Sequence, residues 1–151
     1  MSRIIRSLSP EGTRRLAERF ARRIAASAPG RSAAVVALFG DLGAGKTTFV
    51  QGFARGLGIG RRPASPTFVI MRRYTIKKRR SSYAHFYHVD AYRIRKPAAM
   101  DALGFREILS DARNIVLIEW PERVKPFIPR GAAAIRFRHG IKENERSIAG
   151  L

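Results

Sequence analysis

Two short, almost unbroken apolar runs dominate the hydrophobic pattern of this chain. Val35 to Phe39 (VVALF) and Asn114 to Trp120 (NIVLIEW) carry few polar positions, as expected for strands buried on both faces of a mainly parallel sheet. Helical stripes lie around them. Leu16, Phe20 and Ile24 recur every fourth residue with Ala17 and Ala21 alongside, while Arg14, Arg15, Arg22 and Arg23 fall largely elsewhere. This predicts a core-facing helix that opens at Ser9-Pro10-Glu11, with a serine cap, a first-turn proline and a first-turn acid, and stops before Pro29-Gly30. Phe49, Val50, Phe53 and Leu57 form a second apolar helical face, stopped by Gly58.

Further along, Phe68 to Ile76 and Ser82 to Val89 read as two strands of a hairpin around Lys77-Lys78-Arg79-Arg80-Ser81. Pro97 to Leu103 and Phe105 to Leu109 read as short helical segments split by Gly104, and Pro121 to Lys125 as a short turn of helix. Ala132 to Phe137 is a weak strand, and the tail from Arg138, polar until Ile148, either pairs as a last strand or frays. Alternating strands and helices predict an α/β fold: a three-layer sandwich with a central mixed, mainly parallel sheet flanked by helices. Residues 1–151 are expected to form a single domain.

The turn after the first run carries the clearest chemistry. Gly40-Asp41-Leu42-Gly43-Ala44-Gly45-Lys46-Thr47 matches G-x-x-x-x-G-K-[ST], the P-loop, between a buried strand and an amphipathic helix. Its glycines let successive backbone N–H groups converge on phosphate oxygens. Lys46 brings charge to the outer phosphates, the Thr47 hydroxyl can ligate Mg²⁺, and the helix start adds its positive dipole end.

Two carboxylates end predicted strands, the edge of an open α/β sheet where ligands bind. Asp90 is a candidate for magnesium or water positioning. Glu119 takes the Walker B position, where an acid at a central strand's end holds Mg²⁺ or its water beside the P-loop threonine. The hydroxyls of the loop Gly60 to Thr67 either sense a γ-phosphate or make ordinary turn bonds. His88 reads as a satisfied, partly buried imidazole in preference to a catalytic base. Thr13 reads as a solvated helix residue, and Trp120 either flanks the site or covers a core edge.

Thirty lysines and arginines against eleven acids leave a formal charge of +19 and a pI near 11.7, which suits a polyanionic partner or a strongly basic proteome. The basic hairpin tip is a solvated turn or a contact for tRNA or an acidic protein. No cysteine is present, so disulfides and thiolate metal sites are excluded, which agrees with a cytoplasmic setting. No apolar run is long enough to span a bilayer, and Glu11 and Glu18 interrupt the Arg-rich N-terminus where a transit peptide has to be considered.

Taken together, Gly40 to Thr48, Ser65-Pro66-Thr67-Phe68, His88-Val89-Asp90-Ala91-Tyr92-Arg93 and Ile118-Glu119-Trp120-Pro121-Glu122 resemble the TsaE (YjeE) family of small P-loop ATPases, from Ser9 to about Ile148. The resemblance implies an ATPase serving bacterial formation of threonylcarbamoyladenosine next to the tRNA anticodon, alongside the proteins TsaB and TsaD. It implies ATP and Mg²⁺ as ligands. Gly43, Ala44, Gly45, Lys46, Thr47 and Thr48 hold the phosphates, with Asp41 in the same loop; Thr47 and Glu119 hold the metal; Asp90 organises water; and Thr67 belongs to a switch-like loop. Trp120 borders the nucleotide, and Thr13 and Arg146 match positions near it more loosely. The chain departs from the family in the basic stretch Met71-Arg72-Arg73-Tyr74 and in the Lys77 to Arg80 tip. With no evident arginine finger, weak activity alone and stimulation by partners are expected. Rival readings are a small-molecule kinase and a basic, nucleotide-regulated RNA-binding module, with tRNA touched directly by the basic surface.

Overall fold

The computed structural model describes residues 3–60, 69–77 and 81–151. Thr67, with Ser65 and Pro66, and most of the basic tip, Lys78 to Arg80, lie outside the described residues. A seven-stranded sheet runs through the molecule. Its strands are β1 (Ile4–Ser7), β2 (Ala34–Phe39), β3 (Met71–Thr75), β4 (His85–Asp90), β5 (Asn114–Glu119), β6 (Ala133–His139) and β7 (Arg146–Ala149), in the order β1-β7-β6-β2-β5-β4-β3.

β6, β2, β5 and β4 are parallel neighbours, and β3, β7 and β1 add antiparallel edges. The two apolar runs of the sequence are β2 and β5 at its centre. Every residue of β5 is buried, so its lack of alternation reflects cover on both faces. Register then sets the site: Leu38 and Asp90 both pair with Glu119, which brings three strand ends to one edge.

One face of the sheet is covered by two helices, α1 (Pro10–Ala26) and α2 (Lys46–Gly56). Ser9 caps α1 by accepting the Gly12 N–H at 3.0 Å, a bond whose loss costs about 1 kcal/mol. The residues α1 buries are Thr13, Ala17, Phe20, Ala21 and Ala25, whereas Leu16 and Ile24 sit at the flank of the core. Contact with α2 explains this rotation of the predicted stripe. A Cβ placed on Gly52 would lie 2.3 Å from the Arg14 carbonyl oxygen, and one on Gly56 2.5 Å from that of Glu18, so the backbones meet too closely for larger side chains. Phe20, Phe49, Phe53 and Phe86 fill the space between helices and sheet.

The opposite face is covered by a 3-10 helix at Pro97–Leu103, by α3 (Phe105–Ser110) and by a 3-10 segment at Pro121–Phe127. Met100, Phe105, Val124 and Phe127 pack there on Val35, Val89, Val116 and Ile118. The result is a P-loop NTPase-like α/β sandwich. Among the described residues, no helix is long and apolar enough to cross a membrane.

Ile4–Ser7 form strand β1, which the sequence pattern did not predict, whereas the tail takes the paired alternative and contributes β7, which pairs with both β6 and β1. Thr13 is also not solvated: it is 1 % exposed, and its hydroxyl lies 2.8 Å from that of Ser7.

Candidate functional site

A cavity of about 560 Å³ opens at the edge where β2, β4 and β5 end. Its floor is the P-loop. Gly43 (φ 76°) and Gly45 (φ 101°) adopt left-handed backbone that side-chain-bearing residues rarely enter, and the loop turns from β2 into α2 through them. The first-turn N–H groups of a helix have no intrahelical acceptor, so the start of α2 presents donors beside Lys46, Thr47 and Thr48, all lining the cavity. Gly43 and Gly45 line it too, whereas Ala44 is buried, and Asp41 is exposed and does not line the cavity.

Lys46 is only 5 % exposed. Its ammonium donates to the Gly40 carbonyl and, at 3.2 Å, to that of Asp41, and it sits 4.0 Å from the centre of the Trp120 ring. The lysine thus satisfies itself on its own loop, and a phosphate would have to draw it off these carbonyls. Burial lowers its pKa, while Glu119, Glu122, Asp41 and Asp90 oppose that shift. Trp120 holds left-handed backbone (φ 56°, ψ 50°), a conformation that costs a residue of this type about 1–3 kcal/mol. The ring lines the cavity against Tyr92, with centroids 5.1 Å apart.

Asp90 and Glu119 stand side by side in the β4–β5 ladder and both line the cavity. Asp90 accepts the Tyr92 N–H at 3.1 Å; burial raises its pKa, Glu119 adds to the rise, and the Tyr92 bond opposes it. Glu119 is 3 % exposed, and its Oε2 lies 2.7 Å from Nε2 of the fully buried His88. His88 is fully rather than partly buried, and it is satisfied only at Nε2, by Glu119, while Nδ1 has no hydrogen-bond partner among the described residues. Among the described residues no three His, Cys, Asp or Glu side chains group to hold a metal. The Thr47 hydroxyl and the Glu119 carboxylate supply hard oxygen donors only, a set that fits Mg²⁺ with phosphate and water completing the shell.

Arg146 reaches the site from the start of β7, the strand formed by the tail. Its guanidinium donates to the Glu143 carbonyl at 2.5 Å and the Glu145 carbonyl at 2.8 Å, and its Nε would lie 3.4 Å from a Cβ on Gly45. Thr13 does not line the cavity. It stands behind it, bonded to Ser7, which pairs with Arg146 across β1 and β7. Sequence reasoning did not assign Tyr92, Arg93, Val69 or Ile70 to the site, yet all four line it. For the first two the signal was available, since they directly follow the strand-end Asp90.

Comparison with known proteins agrees with this geometry. The family model described as "Threonylcarbamoyl adenosine biosynthesis protein TsaE" matches residues 7–148. The Bacillus subtilis protein named tRNA threonylcarbamoyladenosine biosynthesis protein TsaE is 36% identical over 143 residues, covering 95% of this chain and 81% of that protein. The Haemophilus influenzae protein of the same name is 36% identical over 97 residues, covering 64% of this chain but 58% of its own length. The crystal structure of Bacillus subtilis YdiB superposes with a TM-score of 0.71 at 30% identity, over 99% of this chain and 85% of that one.

Proposed function

We propose a function from one premise: the chain belongs to the TsaE family of threonylcarbamoyl adenosine biosynthesis proteins. It takes part in threonylcarbamoyl modification of the tRNA adenosine beside the anticodon, as a Mg²⁺-dependent ATPase that works in the cytoplasm with TsaB and TsaD. Residues 1–151 act as one domain. The observation that carries this reading is the convergence of Lys46, Thr47, Asp90 and Glu119 on one cavity at the strand ends.

Phosphoryl transfer to water needs positioning and charge neutralisation far more than covalent help from the protein. Lys46 and the N–H groups at the start of α2 hold the phosphates, with Gly43 and Gly45 keeping the loop open to them. Thr47 and Glu119 hold the metal, which when bound neutralises charge on the phosphate oxygens. Asp90, anchored by the Tyr92 N–H, orients the attacking water. Trp120 and Tyr92 wall the cavity, and Arg146 borders the P-loop at Gly45. Thr67 contributes from its switch-like loop. Arg146 is engaged with the Glu143 and Glu145 carbonyls, and with no arginine finger evident in the sequence hydrolysis is expected to be slow alone and to rise with the partners.

The test is the rate of phosphate release with and without TsaB, TsaD and tRNA. Stimulation by that set is expected. Transfer of phosphate to a small acceptor instead would make the protein a kinase. Lys46→Ala is expected to weaken ATP binding roughly 10–100-fold, the worth of hydrogen bonds from a charged donor, and to abolish tRNA modification. Retained modification in that variant would leave only a nucleotide-regulated RNA-binding role. Direct contact between tRNA and the basic surface predicts binding by the protein alone that weakens steeply with salt.

A further inference from the structure

We infer that His88 is a positioning residue: it fixes the rotamer of Glu119 through one hydrogen bond, so that the carboxylate's other oxygen faces the cavity. The inference rests on the ATPase reading above for its consequence, though not for its geometry. His88 and Asp90 sit two residues apart on β4 and point to the same face of the sheet, so one strand carries both the acid at the site and the ring that braces its neighbour.

The bond is 2.7 Å between Nε2 of His88 and Oε2 of Glu119, with both side chains almost wholly excluded from solvent. A carboxylate can only accept, so the ring must carry a proton on Nε2 and donate. Nδ1 is buried with no hydrogen-bond partner among the described residues. A proton there would be a buried donor without an acceptor, so the geometry selects the Nε2–H tautomer. The bare Nδ1 is a cost the fold bears, and among the described residues the Glu119 bond is the one hydrogen bond that this buried imidazole makes. A ring retained only for packing would need no nitrogen at that position. A metal ligand held through its second oxygen gains orientation, and loss of such outer partners typically lowers metal affinity or activity 10–100-fold.

Two substitutions separate reach from polarity. In His88→Gln the side-chain amide nitrogen falls near the position of Nε2, whereas in His88→Asn it falls near Nδ1 and cannot meet Glu119. With TsaB, TsaD and tRNA present, the Asn variant is expected to lose about tenfold or more in kcat and to need about tenfold more Mg²⁺ for half-maximal rate. Its affinity for ATP without metal should stay within about twofold, and the Gln variant should recover most of the loss. Mn²⁺ affinity of the ADP complex, read by electron paramagnetic resonance, should follow the same order. Equal behaviour of Asn and Gln variants, or a parallel loss of metal-free ATP binding, overturns the inference. Nitrogen NMR of the imidazole in the wild-type protein without nucleotide tests the tautomer independently. Protonation at Nδ1 overturns the inference even if a variant fails to fold. If the wild type releases no phosphate under any condition, the ATPase reading fails instead, and the NMR and Mn²⁺ results still decide the role of His88.

Discussion

Asp90 and Glu119 sit at the same height on neighbouring strands, but their surroundings differ. Glu119 is enclosed and held by His88, while Asp90 is only partly buried and keeps one backbone N–H, that of Tyr92. Burial is the largest influence on Asp90 and raises its pKa. An acid whose folded pKa lies above its unfolded one contributes stability that is fully present below the unfolded pKa, near 4, and lost as pH rises through the folded value. Asp90→Asn removes that dependence and keeps an oxygen for the Tyr92 N–H. Its stability relative to wild type should therefore increase as pH is raised from about 4 towards 7, read from urea midpoints. A difference that shrinks over that interval would mean that charge–charge attraction to Lys46, and not burial, governs the site. The same variant should lose about a hundredfold or more in phosphate release if Asp90 orients water, the usual scale for a group that assists proton movement. Greater stability with less activity is the signature expected of a functional carboxylate, and the opposite pairing would mark Asp90 as structural.

Packing at the scale of elements turns on the glycines of α2. Glycine inside a helix costs about 0.5–1 kcal/mol against alanine, so Gly→Ala should ordinarily stabilise. At Gly52 and Gly56 the sign reverses, because the new methyl would meet α1 backbone at 2.3 and 2.5 Å. Gly52→Ala is expected to destabilise the protein by about 1–3 kcal/mol in urea unfolding, as overpacking does, while Gly30→Ala, with open space around it, stays near neutral. No apolar periodicity encodes this contact, and the predicted stripe on α1 is accordingly rotated only in part: Ala17, Phe20 and Ala21 are buried as expected, while the close neighbour adds Thr13 and Ala25 and leaves Leu16 and Ile24 at the flank. By contrast, β2, α2 and β5 were legible because continuous apolar runs, a P-loop and a terminal Gly58 leave few alternatives. The strand β1 went unread and β7 undecided for the opposite reason. Each has four residues, half of them polar, with Ser7 and Ile148 the only buried residues of their strands, and each becomes a strand through ladder bonds to a partner distant in the chain. The site inherits this split. Lys46, Thr47, Asp90 and Glu119 stand on the legible elements, while the placement of Arg146 depends on β7, and the Glu119 partnership of His88 depends on a register that one strand cannot reveal.

Over the whole molecule, charge outweighs any single ion pair. Thirty cations share eleven acids, and the acids are used more than once: Glu11 meets Arg14, Arg15 and Arg55, and Glu18 meets Arg22 and Arg55. Exposed pairs of this kind are worth about 0.2–1 kcal/mol each and weaken with salt. The remaining +19 repels itself. A compact chain of this length has a radius of gyration of about 15 Å, whereas the screening length is about 30 Å at 0.01 M salt and about 10 Å at 0.1 M. At low salt nearly every cation therefore feels every other, and at 0.1 M only neighbours do. Raising NaCl from 0.01 to 0.15 M should stabilise the protein despite weakening its ion pairs, by about 1 kcal/mol or roughly 2–4 °C in Tm. A falling Tm would show that the Glu11 and Glu18 networks outweigh the repulsion. The same physics provides a control for direct tRNA contact. A polyanion on the basic surface raises Tm most at low salt and loses its effect as counterions compete, whereas salt alone acts in the opposite sense. Scans with and without tRNA should accordingly be furthest apart at 0.01 M and converge by 0.15 M. Coincident scans at 0.01 M would assign the charge to partner proteins or to a basic proteome and overturn direct tRNA contact by this chain.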